Sequence, residues 1–164
     1  LTSLSAQWAI PLPGTPVPIT GQTFAVLLGG AVLGARAGAA AQALYLLLGG
    51  LSVPMFAFAG GASGWSTFAA PSAGYLVGFV VGAALIGRLA EMRADRTFST
   101  MLTAFLAGSL VIYLFGVVGL MALADMSLGE AFAAGVYPFV VGDLIKATAA
   151  GVLTPAAWKM IDRG

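Results

Sequence analysis

The chain has 164 residues, 60% of them hydrophobic and only 8% charged, with seven basic against six acidic side chains and a mean hydropathy of +1.00. Soluble domains carry roughly 25% charge, so this composition excludes one and identifies an integral membrane protein. Cysteine and histidine are absent, which excludes disulfides, thiolate chemistry and imidazole ligands or relays, and no metal site is expected.

Residues 1–10, LTSLSAQWAI, lack the basic region and cleavage site of a signal peptide and read as the last turns of a helix that begins before Leu1. In the PLPGTPVPIT that follows, Pro11, Pro13, Pro16 and Pro18 exclude a regular helix and favour a stiff, extended segment that caps something. A first complete span is expected at 20–35 and a second at 37–51, joined tightly around Arg36 into a short helical hairpin. Gln42 and Tyr45 lie deep in the second, where hydrogen bonding between helices is their expected role. Residues 52–71 are apolar but broken by Pro54, Gly60, Gly61, Gly64 and Pro71. They are expected to form a long loop, and loops of that length are usually lids or binding segments. Phe56, Phe58, Trp65 and Phe68 within it serve either as interfacial anchors or as a wall against an apolar ligand.

A span at 72–88 carries Gly78 and Gly82 at a spacing that lets two helices approach closely. The stretch 88–97, with Arg88, Arg93 and Arg96 against Glu91 and Asp95, reads as a solvated turn. A span at 98–124 follows. Ser127 and Glu130 then form a capping-box pattern that opens a short helix, and Pro138 kinks or starts a last span at 137–158. No charge lies between Arg36 and Arg88 or between Arg96 and Asp125, and runs of that length belong in a bilayer. The expected architecture is an all-α, polytopic transmembrane helix bundle of six helices, the first only partly present, in a single integral membrane domain over 1–164.

The exception to this segregation of charge is FVVGDLIKATAAG at 139–151, which places Asp143 and Lys146 inside the last span. Three residues apart, they share a helical face about 4.5 Å apart in rise, so one ligand can touch both. A charge in a span is a functional-site hypothesis by default; a purely structural pair is the competing reading. Strict alternation of the loops puts Arg36, the 88–97 turn, Lys159 and Arg163 on one face, which the positive-inside rule makes cytoplasmic, with the C-terminus. The proline segment, the 52–71 loop and the acidic turn then face outward, and Asp143 lies outward of Lys146. A pocket loaded from outside is expected.

Three blocks, PLPGTPVPITGQTFAVLLGGAVLG at 11–34, FAGG…PSAGYLVGF at 58–79 and VGDLIKA at 141–147, carry a resemblance to the BioY family, the biotin-binding substrate components of energy-coupling-factor transporters. The resemblance implies six helices, with biotin held near the outer face beneath the loops joining helices one to two and three to four. It also implies three partner subunits, a membrane coupling subunit and two ABC ATPases, in the cytoplasmic membrane. It supports Asp143 and Lys146 as ligand contacts. Some members carry an arginine or asparagine in the loop corresponding to 52–71; this chain has FAGGASGW there.

Biotin offers two ureido N–H donors, a carbonyl, an apolar body and a carboxylate. Asp143 suits the N–H groups through charge-assisted bonds, and Lys146 suits either the ureido carbonyl or the carboxylate while holding Asp143 ionised. Gly60 and Gly61 allow close backbone approach, or simply turn the chain. Gln22, Thr23 and Tyr75 sit near outward helix ends and either bind ligand or satisfy those ends. No GxxxxGK[ST] loop is present, so energy must come from partners, and nucleic acid is not an expected partner. An enzyme built on Asp143 with Glu130 or Asp125 lacks ligand spacing and a helping base. A carrier of a different vitamin, or a proton-coupled carrier using the Asp143–Lys146 pair, would share these features.

Overall fold

A computed structural model describes residues 1–161; Arg163, one of the basic residues assigned to the cytoplasmic face, lies outside the described residues. Seven α-helices are present among them: α1 (Thr2–Ala6), α2 (Gln22–Leu33), α3 (Ala35–Gly50), α4 (Ala73–Glu91), α5 (Phe98–Leu123), α6 (Leu128–Gly135) and α7 (Tyr137–Ile161). By length and composition α4, α5 and α7 can cross a membrane, with 19, 26 and 24 residues in their apolar stretches. The protein is a multi-pass membrane protein built as a helix bundle.

The helix at the start is shorter than the ten residues the sequence suggests. It stops at Ala6, and Ala9–Ile10 forms a strand, β1, paired antiparallel with β2 (Ile19–Thr20), Ala9 opposite Thr20 and Ile10 opposite Ile19. The prolines of the intervening segment cannot donate to a ladder, so pairing is confined to its ends. The α2–α3 turn is tighter than one centred on Arg36: Gly34 alone separates the helices, at φ 81°, a left-handed value that favours glycine. The Ala35 N–H, left over at the start of α3, is taken by Glu91 Oε1 from the end of α4 at 2.9 Å.

The core runs down the α4–α5 interface, and α4 also packs on α2 and α3 while α5 packs on α7. Leu27, Ile86, Met101, Phe105, Ile112 and Leu120 are fully buried there. A Cβ on Gly78 would lie 3.0 Å from Ile112 Cα, and one on Gly82 would lie 3.0 Å from Ile112 Cγ1, so these two glycines set the closeness of the helices. The turn at 92–97 is not simply solvated: Asp95 is buried, accepts from Trp158 Nε1, and Arg96 stands 3.7 Å over the Trp158 ring. That ties the α4–α5 turn to the end of α7. Ser127 and Glu130 make both bonds of a capping box and start α6, and Pro138 lies in the first turn of α7, where a missing N–H costs nothing.

Candidate functional site

At the end of the bundle opposite the Arg88–Arg96 turn, a cavity is enclosed by six segments. The proline segment contributes Val17 and Pro18, and the region 52–71 contributes Phe58, Ala59, Ala62 and Thr67. Leu76, Phe79 and Tyr75 come from α4, Tyr113 from α5, and Phe139, Asp143 and Lys146 from α7, with Thr20, Gln22 and Thr23 entering at the start of α2. The walls are thus apolar and aromatic with a few convergent polar groups, the composition of a small-molecule site.

The region 52–71 is folded around this cavity as three short 3-10 turns, Pro54–Phe56, Ala59–Gly61 and Trp65–Ala69. Phe58 is 2% exposed and meets Tyr45 and Phe68 edge-on, at 5.4 and 5.7 Å between ring centres. It belongs to the wall, whereas Trp65 is exposed and stacks on Phe68. Gly60 and Gly61, at φ 67° and 82°, turn the chain between Ala59 and Ala62. Those two alanines line the cavity and the glycines do not, so turn geometry accounts for them.

At the polar end, Lys146 Nζ lies 3.0 Å from Asp143 Oδ1, 2.7 Å from Thr23 Oγ1 and 3.1 Å from the Thr20 carbonyl oxygen. These three acceptors match the three protons of an ammonium group. Thr23 Oγ1 also donates to Asp143 Oδ1 at 3.3 Å, and Tyr113 Oη donates to Asp143 Oδ2 at 2.7 Å. Asp143, 3% exposed, is therefore a buried carboxylate paired and hydrogen-bonded from α2, α5 and α7 together. Its charge is compensated in place.

The remaining polar residues are distributed around this pair. Gln22 lines the cavity while its Nε2 donates to Tyr45 Oη at 3.0 Å, and Tyr45 donates onward to the Ala57 carbonyl, joining α2, α3 and the loop. Gln42 joins α3 to α1 through Thr2. Tyr75 presents its ring to the cavity and gives its hydroxyl proton to the Gly135 carbonyl, an unpaired acceptor at the end of α6, at 2.7 Å. The structure thus gathers Asp143, Lys146, Gln22, Thr23 and Tyr75 at one cavity. It adds Tyr113, which the sequence does not single out by pattern. A signal for it is nonetheless there: a tyrosine hydroxyl in the middle of a 26-residue apolar helix must find an acceptor, and the span 137–158 holds the only intramembrane carboxylate. Asp125 and Glu130 lie elsewhere, on a surface turn.

The BioY family model matches residues 1–163. A protein of Rhizobium etli named biotin transporter BioY is 40% identical over 145 residues, covering 84% of this chain and 76% of its own. One of the same name from Thermotoga maritima is 41% identical over 145 residues, 88% of this chain and 82% of its own. A crystal structure of the S-component for biotin from an ECF-type ABC transporter superposes with a TM-score of 0.84 at 24% identity, over 96% of this chain and 85% of that one, and shows the same fold. By the extent of these matches, the chain is a member of the BioY family.

Proposed function

We propose that this protein is the biotin-binding membrane subunit of an ECF-type vitamin uptake transporter, and not an enzyme. One observation carries the reading: a single ion pair, Asp143 with Lys146, closes the polar end of a cavity whose other walls are apolar and aromatic. Biotin has the matching distribution, a compact donor-rich head on an apolar body. A ureido N–H donates to Asp143, and Lys146 compensates the charge of that buried carboxylate, where a lone charge is costly. Gln22, Thr23 and Tyr75 support the site, the first two by bracing its polar end and Tyr75 as wall.

The whole chain acts as one membrane domain in the cytoplasmic membrane, with the cavity toward the outside and the C-terminus in the cytoplasm. Arg36, the Arg88–Arg96 turn and Lys159 support that orientation. Import is driven by partners, a membrane coupling subunit and two ABC ATPases. No cofactor is needed.

The test is equilibrium binding of biotin to the detergent-purified chain. The wild type is expected to bind in the nanomolar range, and Asp143→Asn or Lys146→Met to lose about 10- to 100-fold or more, the worth of a charged hydrogen bond. Micromolar or weaker binding by folded wild type overturns the reading. In proteoliposomes, uptake that runs on a pH gradient without ATPase subunits would overturn the assignment of partners.

A further inference from the structure

The hydrogen-bond inventory of the ion pair leaves one place for a ligand. Lys146 already uses its three protons on Thr20, Thr23 and Asp143. Asp143 Oδ1 is taken by Lys146 and Thr23. Among the described residues Oδ2 accepts from Tyr113 alone, and a carboxylate oxygen has room for a second donor. Beside that open position, 2.7 Å away, stands the Tyr113 hydroxyl, whose proton can point to either side in the plane of its ring. Both side chains line the cavity.

An acceptor and a swinging donor at this separation match one edge of a cyclic urea, where an N–H sits next to the carbonyl oxygen. Resting on the biotin reading above, we propose that Tyr113 is a ligand-contacting residue which, with Asp143, reads one N–H/C=O edge of the ureido ring. In the empty site the Tyr113 proton is parked on Asp143 Oδ2. On loading, a ureido N–H takes the open position on Oδ2 and the hydroxyl, drawn off Oδ2, turns to the ureido oxygen, so one hydrogen bond is exchanged for two and no buried donor is stranded. The residues that the loop brings to the cavity, Phe58, Ala59, Ala62 and Thr67, include no charged or amide side chain. Thr67 and Ser72 bring hydroxyls and Gln22 an amide to the same cavity, but Tyr113 is the donor that touches Asp143 Oδ2.

The test compares biotin with its sulfur analogue, in which the ureido oxygen is replaced by sulfur, a weak acceptor, on wild type and on Tyr113→Phe. Wild type is expected to bind the analogue about 10-fold or more weakly than biotin, and Tyr113→Phe to bind the two within about 3-fold of each other, with biotin itself weakened about 10-fold. A hydroxyl that merely props Asp143 would weaken both ligands alike; an unchanged ratio overturns the proposal. Because the ratio is taken on one preparation, a misfolded fraction cancels. Equal binding of the two ligands by wild type overturns it without any variant, and a wild type that binds neither sinks the biotin reading itself.

Discussion

Two carboxylates are buried among the described residues, one at each end of the bundle, and they are wrapped differently. Asp143 accepts from Thr23, Tyr113 and Lys146, drawn from three helices. Asp95 accepts from Trp158, with Arg96 Nε at 3.9 Å, and its Oδ1 has no hydrogen-bond partner among the described residues. Donors converging from three directions fix the plane of a carboxylate, which is what a site that must meet a ligand requires. Tying a turn to a helix end needs only one good bond. Asp143 is oriented and Asp95 is tethered.

Removing Lys146 should break this contrast most violently. Lys146→Met leaves Asp143 buried and uncompensated, with an expected loss of about 3–5 kcal/mol in unfolding experiments in detergent. Adding Asp143→Leu should recover most of that stability and none of the biotin binding. If Lys146→Met alone is as stable as wild type, the charge at Asp143 is being satisfied some other way.

A matched pair of small insertions sharpens the comparison. A methyl on Gly49 would overlap the Phe58 ring, and one on Gly151 would lie 2.9 Å from Phe98 Cδ2. Each alanine substitution should cost about 1–3 kcal/mol by overpacking. Only Gly49→Ala should also weaken biotin binding, because Phe58 is cavity wall. Equal effects of both on affinity would mean that the cavity responds to strain anywhere in the bundle.

Asp95→Asn keeps an acceptor for Trp158 but not its charge, for a loss of about 1 kcal/mol and an unchanged affinity for biotin. A fall in affinity would couple the two ends. The smallest effect belongs to the exposed cap of α6. The Ser127 hydroxyl and backbone N–H hold the Glu130 carboxyl below its usual range. Its contribution to stability is complete above the ordinary carboxylate pKa and fades as pH falls through the lowered value. Ser127→Ala should flatten that part of an acid titration of stability; a profile that does not change would show that the capping box carries no pH dependence.

What the sequence discloses follows from where charge is tolerated. Asp143 and Lys146 stand out because lipid excludes charge, and their three-residue spacing already places them on one face. The capping box is equally local. Tyr113 is hidden because its partner is 30 residues away and an aromatic hydroxyl looks ordinary in an apolar span. Asp95 misleads for the opposite reason: a turn rich in arginine resembles a solvated surface, and the partner that bonds the carboxylate, Trp158, is distant in sequence. The β1–β2 pairing and the early stop of α1 likewise depend on contacts across the proline segment, which periodicity cannot report.

The length of α2 has a consequence for how a ligand enters. Its 12 residues rise only about 18 Å, against about 30 Å for the hydrocarbon of a bilayer. The missing depth is filled by the proline segment and the loop after α3, irregular backbone that a bilayer admits only where protein walls it in or it lines a cavity. The polar end of the cavity is consequently enclosed by protein, with Asp143 only 3% exposed. A molecule arriving from water must shed its hydration before it meets Asp143, so the short helix makes dehydration part of recognition.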